Sequence, residues 1–203
     1  MSLRSGIDLH TELLARIAPT GFFYAVHIRF AAPLLHFQSY PAVWVDHYTQ
    51  KAYALRDPIV AWGFSTVGTS RWTEIGIPDP FNILGQARDY DMNYGLAVSF
   101  GEMSSRTIAS AARPDREFGD AEIAEFAEII QRLHKMTEPP KTLTDAQVDA
   151  LRRVAEGDRH AAAAKRLNIS ESAFKARLAL ARDNLLARTT AEAVQRARDY
   201  RLL

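Results

Sequence analysis

Trp44, Tyr48, Asp57 and Trp72 follow one another at separations of 4, 9 and 15 residues. An indole N–H only donates, a carboxylate only accepts and a phenol does either, so the set offers a bound polar molecule both kinds of partner. That matters because an unpaired buried amide costs about 1–3 kcal/mol. Asp57 also precedes Pro58, where a turn or N-cap role is the alternative. No catalytic pattern accompanies them: there is no HExxH, no GxSxG and no glycine-rich phosphate loop. Asp46-His47, His27 and His36 are scattered histidine sites without a constellation. The chain therefore reads as a binding protein and not an enzyme. Cysteine is absent, which removes disulfides, thiolate metal sites and a cysteine nucleophile, and fits a reducing cytoplasm.

The elements that must position these residues divide at Met136 to Thr142, where Pro139-Pro140 stops any helix arriving from the N-terminal side. The 203 residues have a net charge of +1, but that is an average. Residues 142–203 carry 12 Lys+Arg against 8 Asp+Glu, a net of +4, and residues 1–141 carry a net of −3. The first segment holds nearly all the aromatic residues and all nine prolines. Ala25–Phe30, Leu96–Phe100 and Arg106–Ala112 have the pattern of strands; Leu9–Ile17, Ala42–Ala54 and Asp120–Lys135 have that of helices. Ile123, Phe126, Ile130 and Leu133 make one apolar stripe. Strands between helical layers predict an N-terminal α/β sandwich, α-β-α, enclosing a pocket.

The second segment predicts a four-helix, all-α bundle. Thr144 and Gln147 form a capping box, as do Thr189 and Glu192, and Ser170 suits an N-cap after the turn Asn168-Ile169-Ser170. Phe174, Leu178, Ala181 and Leu185 line one side of the helix that follows. Two helices across a three-residue turn in a basic bundle have the helix-turn-helix pattern. No apolar run reaches the length of a signal peptide or of a membrane span, so a soluble, cytoplasmic protein without membrane contact is expected.

Leu143-Thr144, Leu151, Val154-Ala155-Glu156-Gly157, Ala163 to Ser170 and Phe174-Lys175 resemble the helix-turn-helix of the LuxR family. Trp44, Tyr48, Asp57-Pro58 and Trp72, with Tyr40-Pro41-Ala42 and Tyr94-Gly95-Leu96, resemble the autoinducer-binding domain of LuxR-type quorum-sensing receptors. The resemblance implies an autoinducer-binding domain over residues 1–136, a linker at 137–142 and a DNA-binding domain over 143–203. Its ligand would be an N-acyl-L-homoserine lactone, with no cofactor and no metal. Trp44 then suits the lactone carbonyl, Asp57 the amide N–H and Tyr48 the amide carbonyl, while Trp72 packs on the lactone ring. Tyr40, Tyr53, Phe37, Ile59, Trp62 and Phe81 are candidates for the acyl-tail lining, and Ser110 is a hydroxyl candidate.

By the same resemblance, double-stranded DNA is the macromolecular partner of a homodimer. Ser172 and Lys175 sit at the exposed start of the recognition helix, with Glu171 and Ala176. Lys165, Arg166, Ser170, Arg177 and Arg182 are candidates to hold phosphates. The helix over Asp120–Lys135 and the last helix are the expected dimer contacts. Two departures bear on DNA affinity: Gln147 replaces the family's usual glutamate, and His160 with the alanines after it a more polar stretch; Arg177, in place of a frequent histidine, is chemically tolerable. The alternative is a LuxR-like solo or antiactivator, acting through protein contacts with weak or no lactone or DNA binding. A phosphoacceptor domain, with its N-terminal acidic cluster, is missing.

Overall fold

Strand-forming residues alternate along three segments so that each has two apolar faces, and these become the middle of a five-stranded antiparallel sheet. The structure, a computed structural model, describes residues 3–29, 32–138 and 142–203. It divides into two compact units, residues 1–137 and 138–203. In the first, α1 (Leu3–Ile17) leads into β1 (Gly21–Ile28) and β2 (Leu35–Gln38). Then come α2 (Ala42–Gln50), α3 (Pro58–Ser65), β3 (Gly68–Arg71) and α4 (Ile83–Ala87), followed by β4 (Tyr94–Phe100), β5 (Arg106–Arg113) and α5 (Asp120–Met136). The sheet order is β2-β1-β5-β4-β3, every neighbouring pair antiparallel.

The period-2 rule sorts side chains between the two faces. Phe22, Tyr24 and Val26 of β1, Leu96 and Val98 of β4, and Ala109 and Ala111 of β5 pack against Leu14 of α1 and the α5 stripe Ile123, Phe126, Ile130 and Leu133. Phe23, Ala97 and Ala112 face the other way, toward the aromatic residues of α2 to α4. Every residue of β5 is buried, as a central strand covered on both faces must be. The expected α/β architecture is thus present, as an antiparallel sheet with helices on either side.

Three expectations need correction. Two edge strands, β2 and β3, escape the sequence reading because they are four residues long, and Gly68-Thr69-Ser70-Arg71 has no apolar residue to reveal a period. The helix expected over Ala42–Ala54 stops at Gln50: Ala52 adopts φ 51°, and a separate 3₁₀ turn covers Tyr53–Leu55. The strand expected to reach Phe30 ends in regular pairing at Ile28, after a register shift at His27 (φ 53°); Phe30 lies outside the described residues. So do Pro139 and Pro140, the expected helix stop, although α5 does end at Met136 and Thr137 closes it by donating its hydroxyl to Leu133 O.

The second unit contains α6 (Asp145–Ala155), α7 (His160–Arg166), α8 (Glu171–Asn184) and α9 (Thr190–Asp199), and no strand among its described residues. Phe174, Leu178, Ala181 and Leu185 are buried against Leu151, Ala163, Ala164, Ala193 and Ala197. The Thr144–Gln147 capping box forms in both directions. At α9 only half of the expected box forms: Thr189 Oγ1 accepts from Glu192 N, but the Glu192 carboxylate reaches one residue further, to Arg188 N. Arg196 donates to the carbonyls of Leu185 and Leu186, satisfying acceptors left over at the end of α8. No helix among the described residues is long and apolar enough to cross a membrane.

Candidate functional site

The cavity lies between the sheet and the α2–α4 layer, and its volume is about 420 Å³. Its inner end is set by Asp57, the N-cap of α3. Asp57 Oδ1 accepts from Ile59 N (2.7 Å) and Oδ2 from the Tyr48 hydroxyl (2.8 Å), with Pro58 at the first helical position. The cap role and the site role, which the sequence left as alternatives, are held by two different oxygens of one carboxylate. Burial pushes the Asp57 carboxyl up from the usual carboxylate range, against the pull of Tyr48 and the Ile59 and Val60 amides. Burial and the neighbouring Asp57 charge likewise raise the Tyr48 phenol. Because the Tyr48 proton lies on Asp57, Tyr48 presents a lone pair to the cavity as the side chains stand, where the sequence assigned a donor.

Trp44 is buried in α2 and ringed by His47, Tyr48, Tyr53 and Tyr90, with ring centroids 5.3–6.4 Å apart. No hydrogen bond engages its indole N–H among the described residues, so a donor-only group on the cavity wall is unspent. Trp72 differs. Its N–H donates to Ser110 Oγ (2.9 Å), and that hydroxyl in turn donates to Leu96 O (2.7 Å). The Trp72 ring lies so close to Gly95 that a Cβ there would overlap Cε2. Trp72 is therefore a fixed wall, held from below by Ser110 and seated on bare backbone. Tyr40 completes this side by donating to Ser110 O (3.0 Å).

Trp44, Tyr48, Asp57, Trp72, Tyr40 and Ile59 all line the cavity. Five other candidates do not. Ser110 is fully buried with its hydroxyl spent on Trp72 and Leu96, so it positions the wall. Tyr53 sits behind Trp44 and Tyr48, its hydroxyl on Gln86 Oε1 (3.0 Å). Trp62 is buried on α3 with Ile75 and Ala97, behind the lining residue Ile59 of the same cluster. Phe81 is 45% exposed beneath the Arg56 guanidinium, 4.6 Å from the ring centroid. Phe37 falls on the opposite face of β2, stacked on Phe22 and Tyr24. The lining the sequence missed includes Phe23, Ala25, His36 and Gln38 from β1 and β2, Ile83, Ala87 and Met92 around α4, and Thr49, Ala54 and Leu55. The alternation Leu35-His36-Phe37-Gln38 was a usable signal for the β2 pair, once a strand was assigned there.

A dead-ended aromatic cavity with a few convergent polar groups, under an antiparallel sheet, defines a small-molecule sensor domain. Residues 3–137 match the family described as the autoinducer binding domain. The chain belongs to this family of LuxR-type quorum-sensing regulators. It is 27% identical over 117 residues to the transcriptional activator protein SolR of Ralstonia nicotianae, a stretch covering 53% of this chain and 50% of that protein. The chain thus spans about half the length of that curated relative. Among solved structures it is similar to Escherichia coli SdiA, at 18% identity and TM-score 0.50 over 100% of this chain and 92% of that one. SdiA in complex with octanoyl-rac-glycerol gives 17% and 0.51, over 98% and 89%. The N-acylhomoserine lactone dependent LuxR family factor CepR2 of Burkholderia cenocepacia gives 15% and 0.50, over 67% and 83%. At these identities the structural likeness is one of fold.

The second unit's candidate residues lie along α7 and α8 and the turn between them. Lys165, Arg166, Ser170, Ser172 and Lys175 are exposed, and Arg177 and Arg182 half-buried. Two of the cations are already paired: Lys175 with Glu171 (2.7 Å) and Arg166 with Asp158 (3.0 Å). Among the described residues Lys165, Arg177 and Arg182 form no ion pair. Ser170 Oγ caps α8 by accepting from Ala173 N (3.1 Å) and lies 2.9 Å from Ser172 Oγ. Gln147 is buried inside the unit, accepting from Thr144 N and from Asn184 Nδ2, so it joins α6 to α8.

Proposed function

We propose that the protein is a transcriptional regulator whose first unit, residues 1–136, binds an N-acyl-L-homoserine lactone. A second unit, residues 143–203 beyond a linker at 137–142, would bind promoter DNA as a helix-turn-helix in a homodimer. The observation that carries the reading is the polar inventory of the cavity's inner end. The unspent Trp44 N–H suits a lactone carbonyl, and Asp57 Oδ2, which has capacity beyond Tyr48, suits an amide N–H. Tyr48 serves the amide carbonyl when its proton turns from Asp57 to the ligand, an exchange the new N–H on Asp57 compensates. Trp72 then packs on the lactone ring, and Tyr40 and Ile59 begin the tail lining. CepR2's dependence on N-acylhomoserine lactones, and the presence of an octanoyl chain on SdiA, support an acyl-bearing ligand.

For the second unit, α7, the turn Leu167–Ser170 and α8 would present Lys175 and Ser172 to the major groove, with Lys165, Arg166, Ser170, Arg177 and Arg182 on phosphates. Dimerisation would use α5, whose outward side is exposed opposite its buried stripe, and α9. The ion pairs on Lys175 and Arg166 favour a second reading: an antiactivator with weak DNA affinity. Titration of the full chain with a lactone series, followed by thermal unfolding and a DNA mobility shift, decides between them. Saturable protection with lactone-dependent DNA retention supports the regulator. Protection without retention at low salt supports the antiactivator, and no protection overturns the lactone assignment.

A further inference from the structure

The cavity has a closed end and an open one, and the sheet register orders its lining between them. Phe23 stands opposite Gln38 and Ser110, Ala25 opposite His36 and Ile108, and Ile28 opposite Arg106 one level further. One level inward, where Gly21 stands opposite Ala112, the lining is sealed: Ala112 packs with Trp44, Ile83, Ala87 and Met92, all buried, and Tyr48 beside them holds the buried Asp57. Outward of it the lining reaches solvent. Thr49, Ala54 and Leu55 on the outer wall and His36 and Gln38 on the edge strand are all exposed, Leu55 to 88%. A leucine exposed to that degree on a cavity wall is an apolar surface with no described cover. The break at Ala52, which ends α2 early, carries Ala54 and Leu55 to this rim.

The volume points the same way. Small-molecule pockets run from about 300 to 1,000 Å³, and 420 Å³ stands low in that range. The polar head must occupy the closed end, since Asp57, Tyr48 and the Trp44 N–H are there. The tail then has one direction to run, along β1 toward the exposed part of the lining, which includes Leu55 and His36. Resting on the lactone reading above, we infer that the site accepts long-chain N-acyl lactones with the end of the tail outside the cavity, lying over Leu55. Among the described residues no floor then limits chain length, and a polar or bulky group on the last carbons meets solvent and the His36, Gln38 and Thr49 rim.

The test is the dissociation constant of the full chain for unbranched lactones from C4 to C16, with a C12 lactone carrying a fluorophore on its last carbon. While added methylenes are buried, affinity rises by about fourfold each. Past the rim the gain should fall to less than twofold per methylene and stay flat, and the tagged C12 ligand should bind within about fivefold of the untagged one. Leu55→Ser should weaken C14 binding severalfold more than C6 binding. A sharp optimum with more than tenfold loss at the next lengths, or exclusion of the tagged ligand, overturns the inference and leaves the lactone reading standing. No binding at any length overturns both.

Discussion

At the residue scale the site works because several side chains each do two things. Asp57 caps α3 with one oxygen and holds Tyr48 with the other. Asparagine is as good an N-cap as aspartate, so Asp57→Asn should keep the fold while replacing a carboxylate acceptor by a group that also donates. Lactone-dependent protection from unfolding should disappear, and the ligand-free melting temperature should move by only a few degrees. Wild-type protection in this variant would remove Asp57 from the site. Gly95 shows the opposite kind of dependence, on the absence of a side chain. Gly95→Ala drives a methyl into the Trp72 ring and should tear its N–H from Ser110. Tenfold or greater loss of lactone affinity is expected, a loss of about 1.4 kcal/mol or more, measurable by titration calorimetry. Both roles were only half legible beforehand. The residue types at 44, 48, 57 and 72 announce donors and acceptors, but which proton goes to which oxygen depends on distances that spacing does not encode.

At the scale of elements, two helices carry testable electrostatics. The last turn of α5 meets the bulge in β1 through two imidazoles. His27 Nε2 donates to His134 O (2.8 Å), its Nδ1 lies 2.7 Å from Ser105 Oγ, and the two rings are 4.1 Å apart. Burial, with His134 and Arg29 nearby, pulls the His27 imidazole down to about 4. An unfolded His27 titrates near 6.5 and binds its proton first, so its contribution is present above that pH. It is lost as pH falls from about 6.5 to 4, up to about 3 kcal/mol in all. Glu122, held down to about 2 chiefly by Arg116, acts in a lower window, from 4.5 downward. Urea midpoints should therefore fall between pH 7 and 5 in the wild type and much less in His27→Asn, which tolerates the same positive φ. In α8, Glu171 pairs with Lys175 and, under the proposed function, would compete with DNA for it. Glu171→Ala should raise DNA affinity about two- to fivefold, as expected for an exposed pair. Unchanged affinity would place Lys175 away from the groove.

At the scale of the molecule, charge and symmetry are linked. The net of +4 on residues 142–203 is modest, so the proposed DNA binding would lean on two copies acting together. Every DNA phosphate that a cation ceases to neutralise makes the slope of log affinity against log salt shallower by about 0.9. Lys165→Ala should therefore lower the slope by about 1.8 if a dimer binds and by about 0.9 if one copy does. A slope that does not change would remove Lys165 from the phosphate-binding set.

The sequence by itself determined what local chemistry and short periods encode. The α5 stripe, the α8 stripe, the Thr144 and Ser170 caps, the three inner strands and the donors and acceptors of the inner cavity are of this kind. Only the tertiary structure decided which aromatic residues enclose the cavity and which stand behind it. Phe37 and His36 are neighbours in sequence and lie on opposite faces of the sheet, because a one-residue step in a strand reverses the side chain. Ser110 of β5, Gly95 of β4 and Trp72, just after β3, form one support, through a hydrogen bond and a close approach that exist only once β4 and β5 pair. Periodicity reports the face a residue takes within its own element; what that face meets is set by packing between elements distant in the chain.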